Sequence, residues 1–194
     1  HWANKFKGVR FENDESSLDI ANEVFKRYVP VLIDYVFNGV SPQKEFETPF
    51  KIIIERTPIN MIQQLTKLMD SLLPENVSTM DANSFESLFI FCTIWSIGAC
   101  IESEHKERLS KAIKDMASIL LPNSSLFENF YDVKEKGFFS WESLLSEIRL
   151  ENDKVSVRSL IPTTDTVKYS FLLKSFETKN MPQILVGDPG TAKT

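Results

Sequence analysis

Ile184-Leu185-Val186-Gly187-Asp188-Pro189-Gly190-Thr191-Ala192-Lys193-Thr194 decides the class of fold: a short apolar run delivers the chain into a glycine-bearing turn that ends on Lys-Thr. The spacing from Gly187 to Lys193 and Thr194 is that of a phosphate-binding loop, and it predicts a strand over Gln183–Val186 feeding a site for ATP or GTP. Glycines let the backbone curl so that successive N–H groups point inward onto phosphate oxygens. Lys193 is placed for the β- and γ-phosphates, and the Thr194 hydroxyl for the shell of a nucleotide-bound Mg²⁺. Ala192 stands where a glycine is usual, which suits a right-handed helical backbone and not a positive φ. The loop is the last thing in the sequence. The expectation is therefore the first piece of a nucleotide site, with no complete catalytic centre. ATP or ADP with Mg belongs to a longer parent, and none is expected bound to this chain alone.

A chain of 194 residues with 42% hydrophobic and 25% charged residues suits one large soluble domain or two small ones. A net charge of −5, with no basic run, argues against a nucleic-acid partner. Fifteen phenylalanines point to a core of large side chains. Cys92 and Cys100 sit in an apolar run from Leu88 to Ile101 and read as buried thiols. That run is shorter than the roughly 20 residues a membrane span needs, so it predicts a central helix packed on all sides and no membrane partner. The opening His1-Trp2-Ala3, without an initiator methionine, reads as a piece of something longer.

Outward from the loop, the pattern is helical first and mixed later. A helix is predicted over 16–38, capped by Ser16 or Ser17, with Leu18, Ala21, Val24, Phe25, Tyr28, Leu32, Tyr35 and Val36 recurring at helical spacing through Pro30. A second runs from Pro58 to Leu73 behind a Thr57 cap, its stripe read as Ile59, Ile62, Leu65, Leu68, Met69 and Leu72. The apolar helix 84–101 follows, with Trp95 taken as a core residue. An amphipathic helix over 102–121 then turns Leu109, Ile113, Met116, Ala117 and Leu120 inward, with a solvated charged face. Past Pro122, Phe127–Val133 and Phe138–Trp141 around Lys134-Glu135-Lys136-Gly137 predict a β-hairpin. Val155–Ile161 reads as a strand, and Thr163 or Thr164 caps a helix over 165–176.

Four of these segments carry a resemblance: YVPVLIDYVF at Tyr28–Phe37, LFIFCTIWSIGA at Leu88–Ala99, NFYDVKEKGFFSWESL at Asn129–Leu144, and IPTTDTVKYSFLL at Ile161–Leu173 ahead of the loop. In this order they resemble the dynein heavy chain, where the second AAA+ module of the motor ring joins the third. The resemblance implies a mainly α fold: a helical AAA+ lid bundle, a β-hairpin, and the opening strand-helix-strand of an α/β P-loop NTPase domain. It implies a flexible segment at 1–16, a lid-like domain at 17–122, a hairpin connector at 123–154 and the start of a large domain at 155–194. It puts Gly187, Asp188, Pro189, Gly190, Thr191, Ala192, Lys193 and Thr194 on the phosphates, with Thr194 on Mg, and Ile161 and Pro162 beside the adenine. It implies an ATPase microtubule motor whose partners are neighbouring AAA+ modules, microtubules and other dynein subunits, cytoskeletal and in the cilium axoneme. The ending GDPGTAKT looks more like an axonemal, outer-arm heavy chain than a cytoplasmic one.

Other constellations carry less. His1 and His105 have no second histidine or cysteine at ligand spacing, which speaks against a metal site apart from nucleotide-bound Mg²⁺. Cys92 and Cys100 lie about 12 Å apart along a helix, too far for a shared metal or disulfide. No serine sits in a nucleophile elbow. Arg56 invites a role as a lid arginine reaching a phosphate, but a solvated arginine is the commoner case and it is not assigned. Two alternatives stand beside the motor: a non-motor helical scaffold or adaptor with a degenerate P-loop, and a P-loop switch NTPase with an N-terminal helical extension.

Overall fold

The computed structural model describes residues 1–151 and 162–184. Helix α1 spans Ser17–Asn38, its N-cap Ser16 accepting from the Asp19 amide at 3.4 Å. It runs on through Pro30 because Leu32, Tyr35 and Val36 beyond it still have a core to enter. Gly39 ends it at φ 72°, where a Cβ would lie 2.0 Å from the Glu47 carbonyl oxygen, so only glycine fits. Helix α2, Pro58–Leu72, starts on the Thr57 cap with Pro58 at its first position. Its buried stripe is Met61, Leu65, Leu68 and Met69. Ile59, read as part of that stripe, is 67% exposed. It lies two positions before Met61, roughly 200° away around the helix.

Helix α3, Ala82–Ser96, is the centre of the first unit. Asp81 caps it, accepting from the Ser84 amide at 2.8 Å and the Ser84 hydroxyl at 3.0 Å. Every side chain from Leu88 to Ile94 is buried, so the helix has no solvent face over that span. The expected end at 101 is wrong. A short 3-10 turn at Gly98–Cys100 follows α3, and Gly98 brings the backbone so close to Leu109 and Phe127 that a Cβ would lie 2.8 Å from each. Ala99 is exposed and Trp95 only half-buried, against the core role expected of Trp95.

Helix α4 covers Lys106–Met116, stopping short of the predicted Leu121. Ala117 turns extended, and Leu120, expected inward, is 99% exposed. The charged face is also less idle than expected. The Arg108 guanidinium lies 3.9 Å over the Phe50 ring, and Lys114 donates to the carbonyls of Asn123 and Ser124 at 3.0 and 2.8 Å.

Strands β1 (Asn129–Asp132) and β2 (Gly137–Ser140) form the predicted hairpin, with Phe130 opposite Phe139 and Tyr131 opposite Phe138. Asp132 Oδ1 closes the turn by accepting from the amides of Lys134 and Glu135 at 2.7 and 3.1 Å. Helix α5, Trp141–Glu151, follows directly and had no counterpart in the sequence reading. Trp141 is fully buried, 6.0 Å from Trp95, and donates its indole N–H to Phe127 O at 3.1 Å.

Contacts divide the chain after Trp141, into His1–Trp141 and Glu142–Thr194. The hairpin therefore belongs with the helices, where a separate connector over 123–154 had been expected. Phe130 and Trp141 stack at 5.1 Å, and Trp141 meets Phe91 of α3 at 6.3 Å. Nor is 1–16 a loose leader. Phe6 and Phe11 are 2% and 3% exposed against Phe85, and the Trp2 indole donates to Asp70 at 2.9 Å.

In the second unit, helix α6 spans Thr164–Glu177. Of the predicted strands, Val155–Ile161 and the Leu185–Val186 half of the last lie outside the described residues; Gln183 and Ile184 take no strand assignment. No helix among the described residues is long and apolar enough to cross a membrane.

Candidate functional site

Of the residues expected on the nucleotide, Ile161 and Gly187 through Thr194 lie outside the described residues. Pro162 lies within them, half-buried at the entry to α6. Its neighbour Thr163 forms a full capping box. The Thr163 amide donates to Thr166 Oγ1 at 2.7 Å, and the Thr166 amide donates to Thr163 Oγ1 at 3.2 Å. Farther along, Gln183 Nε2 donates to Leu173 O at 2.8 Å, tying the segment that leads toward the loop to the helix before it. Arg56 is exposed on the segment entering α2.

The strongest polar constellation in the first unit was not anticipated. Glu86, 4% exposed in the middle of apolar α3, accepts from Tyr28 Oη at 2.5 Å and Arg27 Nη1 at 3.0 Å. The Ser118 amide adds a third bond at 3.2 Å and the Ser118 hydroxyl a fourth. Burial pushes the Glu86 carboxyl up, but the bonds from Ser118 and Tyr28, with the Arg27 charge, outweigh it and hold it below the usual range. Burial and then Glu86 raise the Tyr28 hydroxyl far above its ordinary value. With both oxygens engaged, Glu86 is no acid, base or metal ligand; it ties α1, α3 and the segment after α4 together. The only sequence signal for it was a single acid inside an apolar helix.

Two further clusters have the look of sites. Glu102, Glu104 and His105 bring ligand atoms within 4.8 Å of one another, a grouping that histidine and cysteine spacing alone does not reveal. Lys51 Nζ already meets it, 3.5 Å from Glu102 and 3.2 Å from Glu104. A groove of about 490 Å³ runs past Asp81, Asn83, Ser84, Ser87 and Ser118 to Lys136. Lys136 is engaged there by Glu12 at 2.8 Å and Asp81 at 3.6 Å, so the groove offers no unpaired lysine to a phosphate.

Comparison with known proteins supplies what this geometry leaves open. Residues 21–143 match the family described as the dynein heavy chain AAA lid domain. Residues 148–194 match the P-loop containing dynein motor region. The chain is 31% identical over 195 residues to the dynein-1-alpha heavy chain of the flagellar inner arm I1 complex of Chlamydomonas reinhardtii, covering 93% of this chain and 4% of that one. It is 27% identical over 188 residues to human dynein axonemal heavy chain 10, covering 89% and 4%, and 31% identical over 140 residues to human dynein axonemal heavy chain 2, covering 69% and 3%. It thus spans a few hundredths of the length of these relatives. Two dynein matches in tandem disfavour both the scaffold with a degenerate loop and the free-standing switch NTPase. A helical unit with an appended hairpin, followed by a P-loop region, is what such a stretch should contain: the chain belongs to the dynein heavy chain family, and within it matches an AAA lid domain followed by a P-loop containing motor region.

Proposed function

We propose that this stretch works inside an ATP-driven microtubule motor, as the lid of the ring's second AAA+ module running into the opening of the third. The tandem of a lid match at 21–143 and a P-loop motor match at 148–194 carries the reading. Gly187, Asp188, Pro189, Gly190, Thr191 and Ala192 wrap the phosphates of ATP or ADP, Lys193 neutralises them, and Thr194 holds Mg. Ile161 and Pro162 lie along the adenine, a role supported by the capping box that fixes the backbone from Thr163 onward. The stretch's own work is mechanical: a packed lid shifts as a body when nucleotide changes at an interface, because packed surfaces are bistable and not continuously deformable.

Its partners are the neighbouring AAA+ modules of the same chain and, through the whole heavy chain, microtubules and other dynein subunits. The names of its relatives favour the cilium axoneme. The name of the Chlamydomonas relative is that of an inner arm, so the outer-arm likeness of the last eight residues is not carried forward.

Lys193→Ala in the intact heavy chain tests this. Photo-crosslinking of an azido-ATP analogue, mapped to residues 184–194 by mass spectrometry, should need about 10- to 100-fold more nucleotide, as expected for losing a charged hydrogen bond. Microtubule gliding should slow in parallel. Unchanged labelling and unchanged velocity would refute the reading.

A further inference from the structure

The chain just ahead of α4 gathers ligand chemistry that has no part in the proposed nucleotide site. Glu102, Glu104 and His105 sit on and beside the 3-10 turn Ser103–His105, and their ligand atoms all fall within 4.8 Å of one another.

The spacing approaches what a first-row metal ion requires. Ligands bonded at 2.0–2.1 Å to a tetrahedral Zn²⁺ stand roughly 3.3–3.4 Å apart. His105 Nε2 lies 3.5 Å from Glu104 Oε1. That nitrogen has almost no solvent surface and makes no hydrogen bond, although covered polar atoms are normally satisfied. It is the unmet group of the cluster, and a carboxylate faces it. The imidazole is held edge-on to the buried Phe50 ring at 5.5 Å. The backbone is fixed too: His105 N donates to Glu102 O, and Glu102 N to Lys51 O, both at 3.0 Å. Groups already held near their bound positions lose little freedom when a ligand arrives.

A positive charge already stands here. Lys51 Nζ lies 3.2 Å from Glu104 Oε1 and 3.5 Å from Glu102 Oε2. Its side chain is 66% exposed and can swing into solvent, and exposed ion pairs of this kind hold weakly. The N-terminus of α4 opposes a cation with roughly half a positive charge. Two full carboxylates outweigh that.

We propose that Glu102, Glu104 and His105 bind a divalent transition-metal ion of the Zn²⁺ class, which displaces Lys51 Nζ from the two carboxylates. The imidazole sets the class. Mg²⁺ and Ca²⁺ take shells of oxygen, whereas an imidazole beside carboxylates suits Zn²⁺. Three protein ligands leave one tetrahedral position to water or an outside ligand.

Calorimetric titration of the 194-residue chain with Zn²⁺ alone tests the proposal. One ion should bind per chain, in the micromolar range, and millimolar Mg²⁺ should not compete. Glu104→Gln and His105→Ala should each weaken binding by about tenfold or more. Lys51→Met removes the competing cation and should tighten it about three- to tenfold. Should His105→Ala fail to fold, Glu104→Gln and Lys51→Met, both at exposed side chains, carry the test. The chain's rival chelator is His1, through its α-amino group and imidazole together, so His1→Ser should leave the affinity unchanged. Binding that His1→Ser abolishes and Glu104→Gln spares overturns the proposal. So does an affinity that neither Glu104→Gln nor Lys51→Met moves, equal competition by Mg²⁺, or no saturation at millimolar Zn²⁺.

Discussion

Glu86 keeps its charge in an apolar helix because both its oxygens accept hydrogen bonds, and that makes it a sensitive point. Replacing it with glutamine keeps the shape but removes the charge that Arg27 and Tyr28 face, so Glu86→Gln should destabilise the chain by about 1–3 kcal/mol in urea denaturation at pH 7. Glu86→Ala should cost more, since it leaves the Tyr28 hydroxyl without its acceptor and the Arg27 guanidinium with only Glu23 and Ser118. The pH dependence follows from the depressed carboxyl. Its contribution is complete above the unfolded value of about 4.3 and is lost as pH falls through the lower folded value. Between neutral pH and pH 3 the native chain should therefore lose more stability than Glu86→Gln does; parallel losses would show that the carboxylate is not the titrating group. Gly39 is as exacting for steric reasons: any side chain there meets the Glu47 carbonyl, and Gly39→Ala should lower the melting temperature.

The hairpin and α3 are one packing problem, solved by aromatic rings. Trp141 is fully buried and hydrogen-bonded, whereas Trp95, at the end of α3, is only partly buried. Trp141→Ala should cost about 3–5 kcal/mol and Trp95→Ala distinctly less, in the same denaturant series; the reverse order would return the core to Trp95. What the sequence disclosed about elements follows from the reach of their contacts. The caps at Ser16, Thr57 and Thr163 are hydrogen bonds three residues long, so they were legible, as was the hairpin with its polar turn. The ends of α3 and α4 were not. One is set by the close approach of Gly98 to Leu109 and Phe127, the other by Glu86 capturing Ser118 from 32 positions away. Helix α5 escaped notice because no glycine, proline or asparagine separates it from β2. The P-loop region was legible for the opposite reason: the motif that suggested it is contiguous and needs no distant partner, and residues 148–194 match the P-loop containing dynein motor region.

At the scale of the molecule, the division after Trp141 predicts where the chain can be cut. A chain ending at Glu151 keeps α1 to α4, the hairpin and Trp141, and should unfold in a single thermal transition with its helical circular dichroism intact. A chain ending at Pro122 loses Phe127, Phe130 and Trp141 from the face of α3 and should show no cooperative melt. A cooperative melt of the shorter chain would restore the boundary at 122 that the sequence suggested. The central helix carries one more consequence. Cys92 lies at its middle with no exposed surface, its thiol pushed well above the ordinary range by burial, while Cys100 at 9% exposure sits in the turn beyond. A thiol reagent meets Cys92 only when the helices part, so at saturating reagent its alkylation rate counts whole-unit openings per second. The chain carries its own unfolding clock, readable without building a reporter residue into it.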